Sequence, residues 1–207
     1  VGKNLQDHLQ ARPVFKTDLT TINNETNNYF KKALIGLQYI LTQSGPMTMA
    51  ASLGTGFLRT ESHLETPDIQ FHIQPFSADM PSTRTHAFSA FTASVLQLRP
   101  ESTGFLTLKS PNYNDHPDIH PNYLATDTDC RTIVKAVQMA RRIVEYEPLK
   151  KHVLEEYAPG GDVVFDDEQA TLDWVRQTAV TIYHPTGTCK MGTDEMSVVN
   201  PSLKVRG

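Results

Sequence analysis

An alternation of apolar and polar residues marks one clear β-strand in this chain. In Ile69-Gln70-Phe71-His72-Ile73-Gln74 every second residue is apolar, which is typical of a strand with one buried face. Residues 11–17, 88–98 and 104–109 are predicted as further strands. The segment 99–103 joins the last two of these and is predicted to form a hairpin.

Apolar residues also recur at helical spacing in three segments, each of which begins near a residue able to cap a helix. The apolar residues are Phe30, Ala33, Leu34, Leu37, Ile40 and Leu41 in the first segment, Ile133, Val137, Ala140 and Val144 in the second, and Ala170, Leu172, Trp174 and Val175 in the third. The predicted caps are Asn24, then Asp127 or Thr128, then Asp166 or Asp167. Ser44-Gly45-Pro46 is predicted to end the first helix.

These strands and helices do not alternate as βαβ units. The pattern therefore predicts an α+β fold, in which a mainly antiparallel sheet has helices on one side. Residues 47–58 are rich in small side chains, which indicates close backbone packing or a cavity wall, and residues 110–123 are predicted to be irregular. No Gly-x-Gly-x-x-Gly turn of a dinucleotide-binding βαβ unit occurs, because the nearest run, Gly54-Thr55-Gly56, lacks the third glycine.

The composition narrows the function classes only a little. The 207 residues are 39% hydrophobic and 20% charged, and the formal net charge is −4. This charge disfavours nucleic acid as a partner, since nucleic-acid binding calls for a basic patch. No apolar run approaches the roughly 20 residues that span a bilayer. Cys130 and Cys189 do not make a disulfide framework and are expected to be reduced thiols in a cytoplasmic protein.

The most informative run is Tyr183-His184-Pro185-Thr186-Gly187-Thr188-Cys189-Lys190-Met191-Gly192. Its proline and its Gly-Thr pair prevent a regular helix, so His184 is expected to lie on a turn. A histidine with a pKa near neutral can act there as an acid or a base. The alternative is that His184 only caps the turn through a hydrogen bond.

Other chemistries have weaker support. No Gly-x-Ser-x-Gly elbow provides a hydrolase nucleophile, and Cys189 has no convincing activating arrangement. His116 and His120 stand four residues apart, but the prolines at 117 and 121 forbid the helix that would bring both to one metal ion. No metal site is predicted.

Two further runs accompany the His184 turn: Val1-Gly2-Lys3-Asn4-Leu5-Gln6-Asp7-His8 and Val198-Val199-Asn200-Pro201-Ser202-Leu203-Lys204-Val205-Arg206-Gly207. In this order the three runs resemble the glucose–methanol–choline (GMC) family of flavin-dependent alcohol oxidoreductases, most closely its choline dehydrogenase-like branch. The resemblance implies that residues 11–180 are the substrate-binding domain and residues 1–10 the edge of the flavin domain. Residues 181–207 would be the active-site turn and an incomplete return to the flavin domain.

The resemblance also implies a cofactor site. FAD is expected to accept the hydride of a primary alcohol, while His184 manages the hydroxyl proton. Ile182 and Tyr183 would approach the flavin ring, and Asn4 and Asp7 would help to fix the chain against the flavin domain. Most of the dinucleotide site would lie outside these residues, and the chain is therefore expected to be a fragment.

The resemblance further implies that three residues contact the substrate: His72, His8 and Gln10. For His72 the alternative is a strand histidine whose hydrogen bonds are satisfied within the core. Choline-oxidising relatives carry Glu at the position of Gln10, where the carboxylate faces the trimethylammonium group. An amide supplies only a dipole, so a neutral alcohol is favoured over choline. Five apolar residues line such a pocket in one interpretation and belong to the ordinary core in the other: Met47, Met49, Phe57, Phe71 and Phe76.

The complete protein is expected to pass electrons to an acceptor, either a quinone or oxygen, and to associate peripherally with the inner face of the membrane. A dehydrogenase is favoured over an oxidase by the resemblance. The competing hypothesis is a stand-alone ligand-binding domain, derived from such an enzyme but without flavin or activity.

Overall fold

The structure is a computed structural model that describes residues 1–80 and 83–206; Pro81, Ser82 and Gly207 lie outside the described residues. The strands in these ranges are β1 (Lys3–Leu5), β2 (Leu9–Ala11), β3 (Val14–Thr17), β4 (Gly54–Leu58), β5 (Ile69–Gln74), β6 (Ala90–Gln97), β7 (Gly104–Thr107), β8 (Asp118–His120), β9 (Val153–Ala158) and β10 (Val180–Thr181). The helices are α1 (Ile22–Thr26), α2 (Tyr29–Thr42), α3 (Asp127–Ile143) and α4 (Glu168–Thr178). Short 3-10 turns occupy Pro46–Thr48 and Lys150–His152.

Strand β6 is the centre of the larger sheet. It pairs with β5 on one side and with β2 and β3 on the other, and the sheet continues through β4, β10 and β9. A smaller sheet has the order β1-β7-β8. Every pairing between these strands is antiparallel. The predicted α+β class with a mainly antiparallel sheet is confirmed.

The two faces of the larger sheet have opposite character. Phe71 and Val95 point to one face, where they form the core with Ile133 and Val137 of α3. Because neighbouring strand residues point to opposite sides, the alternate positions make a polar face. Its members are Gln10, Thr55, His72, Gln74, Thr92 and Ser94. Two of the predicted substrate residues therefore lie on the side of the sheet opposite the helical layer.

Residues at both ends of helix α3 stabilise it. The Thr126 side chain accepts a hydrogen bond from the Asp129 amide, which satisfies one free donor of the first turn. Acidic residues lie in the first turn and Arg141 and Arg142 in the last, which suits the helix dipole. The predicted cap is therefore wrong by one or two residues, since Thr126 takes that place. Asp167, which accepts from the Ala170 amide, is confirmed as the cap of α4.

The strand predicted over 11–17 is interrupted. Strand β2 ends at Ala11 and β3 begins at Val14, because Pro13 has no amide hydrogen to donate to the ladder. The Pro13 carbonyl still accepts from the Ala93 amide, at 2.9 Å, so both strands stay on β6.

The predicted hairpin over 99–103 is wrong. Strand β6 belongs to the larger sheet, whereas β7 lies between β1 and β8 in the smaller one. The buried Asp129 carboxylate accepts hydrogen bonds from the amides of Glu101 and Ser102. These contacts draw the segment onto the start of α3 instead of folding it into a two-strand turn.

The first predicted helix is in fact two. Thr21 precedes α1 and forms a capping box with Asn24, which lies inside the helix and is not its cap. Asn28 caps α2 by accepting from the amides of Phe30 and Lys31. No residue of α2 is buried within the chain, and its predicted apolar face is exposed to solvent.

The small-residue and irregular segments contain strands that the sequence pattern does not reveal. Strand β4 lies within residues 47–58, and β8 within residues 110–123. The proposed apolar pocket is divided by the sheet: Phe71 faces the core, whereas Phe57 lies across from Gln70 on the polar face and is 53% exposed. The interpretation that these residues line a single pocket is therefore wrong, because Phe71 and Phe57 point to opposite faces of the sheet.

Candidate active site

The turn that carries His184 is tied to the first residues of the chain. Strand β10 pairs with β2, and the pairing continues beyond both strands, since the amide of Ile182 donates to the His8 carbonyl at 3.2 Å. Gln6 and Thr186 exchange a pair of backbone hydrogen bonds of 2.9 and 2.8 Å. The two motif runs thus form one irregular antiparallel ribbon.

Close backbone contact fixes the far end of this ribbon. Gly187 has a positive φ of 93°, and a Cβ atom there would come within 2.1 Å of the Asn4 carbonyl oxygen. Asn4 itself has a positive φ of 63°. Only glycine is compatible with the contact at 187, so Asn4 lies directly against the His184 turn.

His8 and His184 are neighbours. Their ring centroids are 5.7 Å apart in an edge-to-face arrangement. The His8 Nε2 atom is 3.1 Å from the Leu98 carbonyl oxygen, which can only accept, so His8 carries its proton on Nε2. The Nδ1 atom of His8 is buried without a hydrogen-bond partner.

These two histidines line an open cleft of about 260 Å³. Its remaining lining residues are Gln6, Asp7, Leu98, Arg99, Pro100 and Thr186. The Gln6 amide group donates to the Pro100 carbonyl at 3.0 Å, which holds the two walls of the cleft together. The cleft therefore combines exposed His184 with polar surroundings and a single guanidinium group.

His72 lies on the polar face of the sheet, opposite Ser94. Burial lowers the pKa of His72, and positive charge on His184 or His8 would lower it further. All three histidines are therefore close enough to interact electrostatically, and His72 is neutral at neutral pH. Its Nε2 atom is buried without a partner.

Gln10 is also on the polar face and is 7% exposed. Its amide nitrogen donates to the Ser94 hydroxyl at 3.0 Å, and that hydroxyl donates to the His72 carbonyl at 3.1 Å. Gln10 and His72 are thus linked, but neither lines the cleft that holds His8 and His184. The structure brings the four residues to one side of the chain without placing them all around one cavity.

The Asp7 side chain connects the cleft to the interior, which sequence reasoning did not foresee. One oxygen accepts from the His184 amide at 3.0 Å, and the other accepts from the hydroxyls of Tyr123 and Thr181. The partners are more than a hundred residues away along the chain, so no local pattern could have revealed them.

A second chain of polar groups resembles a hydrolytic triad. The Ser77 hydroxyl is 2.9 Å from His86 Nδ1, and His86 Nε2 is 2.9 Å from Asp79. Ser77 is completely buried, however, and its hydroxyl also accepts from Asn23. A nucleophile needs access to substrate, so this arrangement is structural.

The described residues contain no group of three or more His, Cys, Asp or Glu side chains placed to hold a metal ion. His120 stacks on Phe105, with ring centroids 4.7 Å apart.

No helix in the described ranges has the length and apolarity needed to cross a bilayer.

Comparison with known proteins identifies the family. Residues 100–207, just over half of the chain, match the family model described as GMC oxidoreductase. The chain belongs to the GMC oxidoreductase family. The resemblance of its three motif runs to that family is confirmed.

Curated relatives match over the full chain. An alcohol dehydrogenase [acceptor] of Pseudomonas putida is 36% identical over 100% of this chain and 37% of its own length. Mitochondrial choline dehydrogenase of Mus musculus is 35% identical over 100% of this chain and 35% of its own length. An oxygen-dependent choline dehydrogenase of Staphylococcus xylosus is 32% identical over 100% of this chain and 37% of its own length. The chain thus spans little more than a third of the relatives it matches.

Solved structures show the same fold. A formate oxidase variant of Aspergillus oryzae RIB40 superposes with a TM-score of 0.85 at 23% identity, over 99% of this chain and 40% of that one. An FAD-dependent oxidoreductase from Chaetomium thermophilum gives a TM-score of 0.77 at 18% identity, over 99% of this chain and 42% of that one. At these identities the likeness concerns the fold alone.

Proposed function

We propose that this chain is the substrate side of an FAD-dependent alcohol dehydrogenase that oxidises a primary alcohol to an aldehyde. The observation that carries the proposal is the cleft in which His184 stands 5.7 Å from His8, on a turn strapped to the first residues of the chain. The relatives named choline and alcohol dehydrogenases support it. The division at residues 10 and 180 between flavin-domain and substrate-domain parts belongs to the same proposal.

In the proposed reaction His184 accepts the hydroxyl proton of the alcohol. Its side chain is exposed at the cleft, whereas its backbone is fixed by Asp7. His72 stays neutral because burial lowers its pKa, and it therefore adds no positive charge beside His184. A general base positioned in this way contributes about 10²–10⁴-fold to the rate of a proton transfer.

We propose that the flavin ring lies against the exposed surface of the His184 turn. Tyr183 is 71% exposed, and His184 and Asn4 are exposed beside it, so the surface of the turn is free to face a flat ring. We assign Ile182, Tyr183 and Asn4 to this contact. FAD, when bound, accepts the hydride from the carbinol carbon. Gly54 and Gly56 lie in the antiparallel strand β4 and form no phosphate-binding turn.

Gln10 points to a neutral alcohol as the substrate. It is buried and hydrogen-bonded to Ser94, and an ammonium group near it would meet only an amide dipole. A buried cation without a carboxylate partner is costly. Aliphatic or aromatic primary alcohols therefore fit this site better than choline does.

The test uses the complete protein, loaded with FAD and assayed with a neutral primary alcohol and a dye as electron acceptor. His184→Ala is expected to lower kcat by about 10²–10⁴-fold. His152→Ala, which removes a histidine paired with Asp18 outside the cleft, is the matched control and leaves kcat unchanged. Near-normal turnover in His184→Ala would remove this residue from the mechanism.

Two further observations test the choice of a dehydrogenase over an oxidase and the choice of an enzyme over a ligand-binding domain. Rapid production of peroxide would overturn the preference for a dehydrogenase. If the complete protein binds no flavin and oxidises no alcohol, it is a ligand-binding domain instead. After incubation with FAD and removal of the unbound cofactor, the 207-residue chain should show no flavin absorbance, since it supplies only one side of the proposed flavin site.

A further inference from the structure

We propose that Asp7 is the positioning residue of the active site, which fixes the backbone of the turn that carries His184. The proposal rests on the function assigned to His184 above. Asp7 makes no hydrogen bond to the imidazole ring of His184, and we assign it no contact with the reacting atoms. It acts on His184 through the backbone amide.

Three donors from two distant parts of the chain converge on this carboxylate. The His184 amide donates to Oδ1, and the hydroxyls of Thr181 and Tyr123 donate to Oδ2. Thr181 ends β10, and Tyr123 lies in the segment between β8 and α3. One side chain thus joins the first motif run, the His184 turn and the approach to α3.

The Thr181 hydroxyl passes this constraint to the next residue. It donates to Asp7 and accepts from the Tyr183 amide at 2.8 Å. Tyr183 has a positive φ of 63°, a conformation that non-glycine residues adopt only when their surroundings hold them there. Asp7 therefore fixes the amide of His184 directly and that of Tyr183 through Thr181.

The position of Asp7 suits a permanent contact. It lines the His184 cleft on one side and a small cavity of about 20 Å³ on the other, which Tyr123 also lines. Burial and the hydrogen bond to Asp7 raise the pKa of Tyr123 to about 12. The phenol therefore stays protonated and remains a donor to the carboxylate throughout the physiological pH range.

The test compares Asp7→Ala and Asp7→Asn in the complete holoenzyme. Ala removes the acceptor for all three donors, whereas Asn keeps the Oδ1 oxygen that binds the His184 amide. We expect Asp7→Ala to lower kcat by about 10–100-fold, the scale of a misplaced catalytic group, while KM changes less than about threefold. Asp7→Asn should recover most of this loss, to within about fivefold of the parent.

Amide hydrogen exchange gives a readout that does not depend on turnover. Asp7→Ala is expected to accelerate exchange in a peptide covering residues 181–186, with little change elsewhere. The control is Asp115→Ala, which removes an exposed carboxylate that accepts from the side chains of Ser110 and Asn112 outside the cleft. It should loosen its own loop and leave both kcat and the exchange of the His184 turn unchanged.

Two results would overturn the proposal. One is an Asp7→Ala enzyme with kcat within about twofold of the parent and unchanged exchange at the turn. The other is faster exchange over the whole domain with lower flavin content, in both the Ala and Asn variants, which would make Asp7 a general stability residue. If His184→Ala turns over normally but Asp7→Ala still loosens the turn selectively, the assigned role of His184 fails and the positioning of the turn stands.

Discussion

Replacing Asp129 with Ala should destabilise the chain and loosen one wall of the candidate active site. The carboxylate is 1% exposed and accepts from the Glu101 amide at 3.0 Å, the Ser102 amide at 2.8 Å and the Ser102 hydroxyl. These contacts anchor the segment next to Leu98 and Pro100, whose carbonyls bind His8 and Gln6 at the cleft. The cleft wall and the start of α3 therefore share one anchor.

The size of the effect follows from these contacts. A hydrogen bond to a charged group contributes about 1.5–3 kcal/mol, and a buried donor left without a partner costs about 1–3 kcal/mol. Two amides lose their acceptor and water enters part of the gap, so we expect a loss of about 3–5 kcal/mol in the free energy of unfolding. With a urea m-value of about 2–3 kcal/mol/M, the midpoint falls by about 1.5 M.

Urea unfolding of the 207-residue chain, followed by circular dichroism, measures this loss. The control is Asp127→Ala, which removes an exposed carboxylate from the same first turn of α3. It should cost at most about 1 kcal/mol, the value of a charge near the helix dipole. Equal midpoints for the two variants would refute the assignment of stability to the hydrogen bonds.

The pH dependence gives an independent check. Burial raises the pKa of Asp129, but the hydrogen bonds from Ser102 and Glu101 outweigh it, and the net pKa is lowered. The stabilisation is therefore complete above the unfolded value of about 3.9 and is lost as the pH falls through the lower folded value. The gap between the parent and Asp129→Ala should be wide at pH 7 and narrow towards pH 2.

Two further predictions concern the polar face of the sheet. Gln10→Glu in the complete enzyme places a carboxylate on the polar face of the sheet, where Gln10 is proposed to contact the substrate. It should raise the ratio of kcat/KM for choline to that for a neutral alcohol by about tenfold, since an ion pair at about 5 Å gains a few kcal/mol before desolvation. An unchanged ratio in a flavin-loaded variant contradicts the assignment of Gln10 to the substrate site. His72→Gln should flatten the fall in stability of the chain below about pH 6.5, because burial lowers the pKa of His72 and the unfolded chain binds the proton more tightly. Parallel stability–pH curves for the parent and His72→Gln would contradict that pKa direction.

Local patterns account for the framework of this fold. The alternation over residues 69–74 gives β5 with His72 on the polar face, and the helical spacing of Ile133, Val137 and Ala140 gives α3 with its buried side. Such elements carry their own period, so the sequence reveals them without knowledge of their partners. The strand β4, by contrast, begins Gly-Thr-Gly and becomes a strand only because β5 provides its hydrogen bonds.

The contacts that escaped prediction are those between distant residues. Asp7 and Thr181 are 174 positions apart, and Asp129 binds Ser102, which lies within the segment predicted as a hairpin. No periodicity marks a side chain whose partner is supplied by tertiary structure. The sequence could indicate that His184 and Asp7 lie in informative runs, but only the fold shows that one binds the other.

The first motif run and the run that carries His184 matter as a pair because their backbones are hydrogen-bonded to each other. Gln6 exchanges backbone hydrogen bonds with Thr186, and the Ile182 amide binds the His8 carbonyl. Asp7, between Gln6 and His8, then points at the amide of His184, between Ile182 and Thr186. A shift of two residues in this register would carry Asp7 past the amide and separate His8 from His184. The geometry of the proposed catalytic group is therefore set by strand register, and a substitution that alters the register, such as one at Gly187 against Asn4, acts on the same property as the loss of Asp7.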